Sequence, residues 1–106
     1  MTYIISWNKK AKKDLRRLYK YLSIRNINAA ERKVRQITER IQILTKNPHI
    51  AAVEPCLVGF PFVFHSLIVG YHKIIYIVDK EVIKIVCIWD CRQNPNKLIK
   101  ILNKSR

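Results

Sequence analysis

Three side chains of this sequence combine a reactive type with a position where a folded chain can expose it. Arg92 follows an apolar stretch that ends at Trp89, so its guanidinium group is predicted to emerge at the end of a strand. A guanidinium fork matches the oxygens of a phosphate group. Lys73 can offset charge that develops on a phosphate, and His65 can act as a general acid or base near neutral pH.

Each of these residues also has an ordinary structural explanation. Arg92 can form a salt bridge with the nearby Asp90, and Lys73 can be an exposed lysine on a strand. His65 can be a partly buried or surface histidine, and it shares a sheet face with Lys73 only if their strands pair suitably. His72 and Lys73 cannot both face one site, because neighbours on a strand point to opposite faces.

Positive charge is the second feature that bears on function. The 106 residues include 21 Lys and Arg against 7 Asp and Glu, a formal net charge of +14. Residues 8–46 alone hold 13 basic and 3 acidic side chains. Such a field favours a polyanionic partner over a merely solvated surface. The residues predicted to bind nucleic acid or an acidic protein partner are Lys9, Lys12, Lys13, Arg16, Arg17, Lys20, Lys97 and Lys100.

The composition argues against several classes of protein. Three cysteines without regular spacing do not suggest a disulfide framework, and Cys87 and Cys91 lack Cys or His partners at zinc spacing. We therefore predict neither a metal nor a cofactor. The N-terminus lacks the apolar core of a signal peptide, and no apolar run approaches the ~20 residues of a membrane span. We expect a reduced, cytoplasmic protein without a membrane partner.

Two helices that must position these residues follow from the spacing of apolar side chains. Asn8 can cap a first helix, whose apolar stripe runs from Ala11 to Leu22 at helical intervals. Asn28 can cap a second helix with the same spacing from Ala30 to Leu44. Asn47-Pro48 ends it, because a residue before proline avoids helical geometry. The short connection between the helices predicts an antiparallel hairpin.

The rest of the chain predicts a sheet. Four segments rich in β-branched and aromatic residues are predicted strands: 3–7, 62–66, 71–78 and 82–89. The last is apolar on both faces apart from Lys84, which indicates a central strand, and Asn94-Pro95 can start a final helix. We predict one α+β domain over residues 1–106, in the order β-α-α-β-β-β-α. Its helical hairpin packs on an antiparallel sheet that is mixed at the N-terminal strand.

With these elements in order, the chain resembles the RelE/ParE toxin superfamily over about residues 3–100. The resemblance is carried by residues 11–15 with 19–22, 44–48, 64–76 and 88–95. It implies the toxin of a bacterial type II toxin–antitoxin system, as in plasmid stabilisation, held inactive by an acidic antitoxin. Some members cleave mRNA on the ribosome and others poison DNA gyrase, and the shared fold does not choose between them.

The resemblance also implies roles for individual positions. Arg92 stands where ribonuclease members use an arginine to stabilise phosphate charge, Lys73 where they often carry arginine, and His65 where many relatives have arginine. Residues 93–106 lack the Tyr or His that several ribonuclease members carry there. The helices and the Arg-x-x-Pro ending look slightly closer to the gyrase branch. Gyrase inhibition is therefore slightly favoured over mRNA endoribonuclease activity, and a non-toxic nucleic-acid-binding module is the third hypothesis.

Overall fold

The computed structural model describes residues 2–104. The helices are α1 (Lys9–Ser23), α2 (Ile27–Ile43) and α3 (Pro95–Lys104), and the strands are β1 (Ile4–Trp7), β2 (Ala52–Val53), β3 (His65–Val69), β4 (His72–Asp79) and β5 (Val82–Asp90). The predicted α+β class and element order are confirmed. The one addition is in the loop after α2, which contains the short strand β2 and a 3₁₀ turn at Pro55–Leu57.

The five strands form one open sheet in the order β1-β5-β4-β3-β2. β1 runs parallel to β5, whereas the other neighbours are antiparallel. The sheet is therefore mixed at the N-terminal strand, as predicted. β5 has a partner on both sides, which agrees with its apolar character on both faces.

Asparagine side chains start the first two helices. Asn8 Oδ1 accepts a hydrogen bond from the N–H of Ala11 at 2.8 Å. The cap of α2 is Asn26, whose extended backbone lets its Oδ1 accept from the N–H of Ala29 at 3.1 Å. The prediction that Asn28 caps this helix is wrong, because Asn28 already lies within the first helical turn.

The strand β3 begins three residues later than its apolar pattern predicted. It runs from His65 to Val69, rather than from residue 62. A tight turn at Gly70 sets this register, because its φ of 62° lies in the left-handed region that glycine adopts readily. Val69 consequently pairs directly with His72. The earlier residues of β3 pair with successively later residues of β4, as far as His65 opposite Tyr76.

Each face of the sheet carries its own apolar core. The face under the α1–α2 hairpin buries mainly Ile37, Ile41, Leu44, Leu67, Ile74, Tyr76, Ile83 and Ile85. The face under α3 buries Leu57, Phe64, Ile75, Cys87, Trp89, Leu98 and Leu102. Side chains that alternate along β4 and β5 therefore enter two different cores.

A carboxylate fixes α1 against the sheet. Asp14 is only 10% exposed, and it accepts a hydrogen bond from the N–H of Ile88 at 3.0 Å. It also forms an ion pair with Lys10, one helical turn earlier, at 2.9 Å. This anchor lies next to an irregularity in the β4–β5 pairing, where Cys87 and Ile85 oppose consecutive residues of β4.

We predict that Asp14→Ala lowers the free energy of unfolding by about 2 to 3 kcal/mol, because a buried N–H loses a charged acceptor. Urea unfolding followed by circular dichroism measures this change. Glu39→Ala is the matched control, since it removes the same charge from an exposed site on α2 and should change stability by about 0.5 kcal/mol or less. Equal effects of the two substitutions would show that the anchor is unimportant.

Candidate functional site

The pairing of β3 with β4 separates two of the predicted site residues. His65 lies opposite Tyr76, whereas Lys73 lies opposite Ile68. Tyr76 belongs to the core under the helical hairpin, so His65 is on that face. Lys73 is three residues from Tyr76 along the strand and therefore faces the side covered by α3. The register that would have brought His65 and Lys73 onto one face does not occur.

His65 is packed like a structural histidine. Its side chain is 8% exposed, and its ring stacks on Tyr76 with 5.2 Å between centroids. Its Nδ1 lies 2.9 Å from the carbonyl oxygen of Ala51. Tyr76 is itself fully buried and donates its hydroxyl to the carbonyl oxygen of Pro48 at 2.8 Å. These contacts hold the loop after α2 against the sheet.

Lys73 forms a salt bridge with Glu54, which is 2% exposed. Burial opposes ionisation of Glu54, but hydrogen bonds from Lys73 and from the N–H of Cys56 outweigh it, so the pKa of Glu54 lies below its usual value. The hydrogen bond to Glu54 raises the pKa of Lys73 above its ordinary value. Both groups are therefore charged at neutral pH, in a cleft of about 220 Å³ that Trp89 also lines.

Glu54 was not identified from the sequence, in which residues 49–59 show no clear helical or strand periodicity. One signal was available: Glu54 is the only acidic residue between Glu39 and Asp79. An acid that stands alone among apolar residues is a candidate for a buried ion pair. Its partner could not be identified, because Lys73 lies 19 positions away and meets it only through the β2–β3–β4 pairing.

Arg92 lies just beyond β5, at the end of the sheet, as predicted. Its side chain is 64% exposed and forms a two-point ion pair with Asp90, with contacts of 3.0 and 2.7 Å. Hydrogen bonds from the Arg92 side chain and backbone lower the pKa of Asp90 to about 2. The guanidinium carbon also lies 5.1 Å from the ring centroid of Tyr71. Arg92 thus forms the salt bridge with Asp90 that its ordinary structural explanation predicted. The outer edge of its guanidinium group remains open to solvent.

Arg92 and Lys73 line separate depressions of the surface. Arg92 borders a groove of about 710 Å³ between α1, the first turns of α2 and the end of the sheet. Lys73 borders the smaller cleft near α3. Gln93 lines both depressions and marks the ridge between them. The three predicted catalytic side chains are therefore distributed over three local environments.

The predicted binding lysines and arginines form two exposed surfaces. Those of α1 are all exposed: Lys9, Lys12, Lys13, Arg16, Arg17 and Lys20. Lys97 and Lys100 are exposed on α3, which covers the opposite face of the sheet. No salt bridge joins any of these eight residues to another residue of the described range 2–104. The basic residues of the two ends of the chain are thus not brought together.

The cysteines show no arrangement for metal chemistry. Cys56, Cys87 and Cys91 are all free thiols, and burial raises the pKa of Cys87 to about 12, as expected for a core residue. Within residues 2–104, no group of three or more His, Cys, Asp or Glu side chains is placed to hold a metal ion. Over the same residues, no helix is both long and apolar enough to cross a bilayer.

We predict that Lys73→Met lowers the free energy of unfolding by about 2 to 3 kcal/mol at pH 7, because it leaves the buried Glu54 carboxylate without its cation. Adding Glu54→Gln should recover most of the loss, and urea unfolding of the single and double variants measures both effects.

The same ion pair makes stability depend on pH. Because the folded-state pKa of Glu54 is lowered, its contribution is present above the ordinary value of 4.5 and is lost as pH falls through the lower folded value. The double variant Lys73→Met/Glu54→Gln has no carboxylate at residue 54, so it lacks this pH-dependent contribution to stability. A wild-type and a double variant with the same pH dependence below pH 5 would contradict this account.

Comparison with known proteins agrees with the geometry of the fold. A family model described as the ParE toxin of the type II toxin–antitoxin system parDE matches residues 5–95. A chain of the structure titled chromosomal ParDE TA system from P. aeruginosa has a TM-score of 0.69 and 22% identity, covering 84% of this chain and 96% of its own length.

A second similar structure is the YoeB dimer from Staphylococcus aureus, with a TM-score of 0.55 and 22% identity. It covers 82% of this chain and 94% of the YoeB chain. Both solved structures show a shared fold at this level of identity, whereas no curated protein matches significantly. Since the family match spans nearly the whole chain, the protein belongs to the family of ParE toxins of type II toxin–antitoxin systems.

Proposed function

We propose that this toxin arrests growth by binding DNA gyrase in the cytoplasm and is neutralised there by an acidic antitoxin. The observation that carries the proposal is the separation of the candidate catalytic groups. Arg92 is paired with Asp90 at the end of the sheet, Lys73 with Glu54 on the α3 face, and His65 is packed on the hairpin face. Such an arrangement suits binding better than bond cleavage.

The chemistry of RNA cleavage explains this preference. Attack by a 2′-hydroxyl on its phosphate needs a base, an acid and cations around one phosphorus atom. Here the two candidate cations line different depressions, and the candidate base is buried in a packing contact. A gyrase inhibitor needs only a complementary surface, and the exposed basic residues of α1 supply one.

An acidic antitoxin as partner is supported by charge and by the comparisons. The net charge of +14 opposes the compact state through self-repulsion, and a partner with negative charge relieves it. One of the similar solved structures is titled a ParDE toxin–antitoxin system. The uncompensated cations on α1 and α3 are available to such a partner.

We predict that induced expression of the toxin inhibits DNA supercoiling and triggers a DNA-damage response, while mRNA stays intact. Purified gyrase with relaxed plasmid measures the first effect, and primer extension on cellular transcripts measures the last. Coexpression of the short acidic open reading frame expected beside the toxin gene is the control that should restore growth. Ribosome-dependent cleavage of mRNA with normal supercoiling would refute the gyrase proposal.

The second candidate function is an mRNA endoribonuclease, and one observation favours it. Glu54 and Lys73 place a carboxylate and an ammonium group together in a cleft near α3. The partly exposed ammonium group of Lys73 can stabilise the phosphate charge, and the buried Glu54 carboxylate can hold that group in place. The exposed Lys97 and Lys100 on α3 would then help to hold RNA near the cleft.

If the toxin is a ribonuclease, Glu54→Gln should strongly reduce mRNA cleavage and toxicity, because Lys73 loses the carboxylate that positions it, while a gyrase inhibitor should keep its toxicity. The measurement is growth after induction, combined with primer extension. The variant must have a circular dichroism spectrum and a melting temperature near those of the wild type. These controls show that any loss of toxicity is not caused by unfolding. Full toxicity of a folded Glu54→Gln variant would eliminate this cleft as a catalytic site.

A further inference from the structure

The exposed face of α1 consists of cations along most of the helix. Within residues 9–20, every exposed side chain belongs to a lysine or an arginine: Lys9, Lys12, Lys13, Arg16, Arg17 and Lys20. At about 100° of rotation per residue, these six positions fall within an arc of about 140° around the helix axis. The buried Ala11 lies on the opposite side of the helix, so this basic arc faces away from the sheet.

No carboxylate compensates the basic arc in the part of the chain that the structure describes. Asp14 is the one acidic residue of α1, and it lies outside the arc, where it pairs with Lys10 and accepts from the N–H of Ile88. None of the six cations of the arc forms a salt bridge within residues 2–104. The first turn of the helix also contains no acidic residue.

This arrangement destabilises the free protein. Cations four residues apart on a helix, such as Lys12 and Arg16, repel each other, and cations in the first turn oppose the helix dipole. A surface that serves solubility alone usually mixes the two signs of charge. The exposed face of α2 does so, with Glu31, Arg32, Arg35, Glu39 and Arg40. The unmixed charge of the arc therefore indicates a polyanionic ligand.

The composition of the basic arc favours a nucleic-acid backbone over an acidic protein. The centre of a protein interface is usually depleted of lysine and enriched in aromatic side chains, and the arc has the opposite composition. Single-stranded nucleic acid is bound largely by stacking on aromatic rings. The exposed Tyr21 lies outside the arc, so the arc itself offers no ring for stacking.

The dimensions of the arc suit a duplex. Residues 9–20 extend over about 17 Å of helix axis, because each residue of an α-helix adds about 1.5 Å. The same length of duplex DNA carries about ten phosphate charges. Six cations on one side of the helix can thus meet phosphates along the duplex without entering a groove.

We propose that the basic arc of α1 is a sequence-independent binding site for the phosphate backbone of duplex DNA. Lysine and arginine contacts to phosphates fix a protein on the duplex but do not read its bases. The identification of this duplex as the DNA on which gyrase acts rests on the proposed function. DNA binding itself is a property of the toxin alone and can be measured without gyrase.

The test is the salt dependence of binding to a fluorescent DNA duplex of random sequence, measured by anisotropy with the purified toxin. Six phosphate contacts predict that log K falls with log [KCl] with a slope of about −5. Lys12→Gln/Arg16→Gln should reduce the magnitude of the slope by about 2 and weaken binding at least about tenfold in about 0.1 M KCl.

Arg35→Gln/Arg40→Gln is the matched control, because it removes the same net charge from exposed positions of α2. The control should keep the slope of the wild type. The proposal is overturned if the duplex does not bind, if the α1 variant keeps the wild-type slope, or if the control loses as much as the α1 variant. Tighter binding of poly-glutamate, single-stranded DNA or RNA than of duplex DNA would also overturn it, in favour of the ligand preferred.

A supercoiling assay separates this proposal from the proposed function. If the wild type binds duplex DNA with the expected slope but does not inhibit gyrase, the DNA site is supported and the gyrase proposal fails. If the wild type inhibits gyrase and the α1 variant inhibits it equally after losing DNA binding, the assignment of the duplex to gyrase is overturned.

Stability without DNA supplies an independent readout. Because glutamine has a helix propensity similar to those of lysine and arginine, the main effect of Lys12→Gln/Arg16→Gln on α1 is to relieve repulsion. The variant should therefore unfold at a higher urea concentration than the wild type, as followed by circular dichroism. Duplex DNA should raise the melting temperature of the wild type more than that of the variant. A less stable α1 variant would contradict the repulsion from which the proposal is argued.

Discussion

Alternation of side chains along β4 is the constraint on which the functional surfaces of this toxin depend. β4 lies between two other strands and is covered on both faces, so each residue must enter one of two environments. His72 enters the groove beside the helical hairpin, and Lys73 enters the cleft near α3. A single step along the chain thus separates a residue that lines the groove from a residue that lines the cleft.

Ion pairs within the protein then determine which lysine and arginine side chains keep an uncompensated charge. Lys73 and Arg92 are compensated by Glu54 and Asp90. In the part of the chain that the structure describes, Lys33 and the basic residues of α1 other than Lys10 form no ion pair, although Lys33 is partly buried. For a protein with a net charge of +14, the few acidic residues are therefore informative. Four of them, Asp14, Glu54, Asp79 and Asp90, each form an ion pair with one particular lysine or arginine.

Much of the fold could be predicted because apolar periodicity is a local property of the chain. The α1 and α2 stripes and the two-faced apolar run of β5 lie in consecutive residues. The errors occurred where a longer-range interaction determines a boundary. Asn26 replaces Asn28 as a cap because of its backbone conformation, and β3 starts at His65 because the Gly70 turn sets its pairing with β4.

Residue types and order alone determined that this chain is strongly basic, forms a helical hairpin on a mixed sheet, and carries Arg92 at the end of a central strand. Only the tertiary structure decided that His65 is packed against Tyr76, that Lys73 meets Glu54, and that Lys33 and His72 share a groove. The reason is physical. Periodicity reports which side of an element is buried, whereas contacts between distant residues depend on strand register and helix placement, which no local pattern encodes.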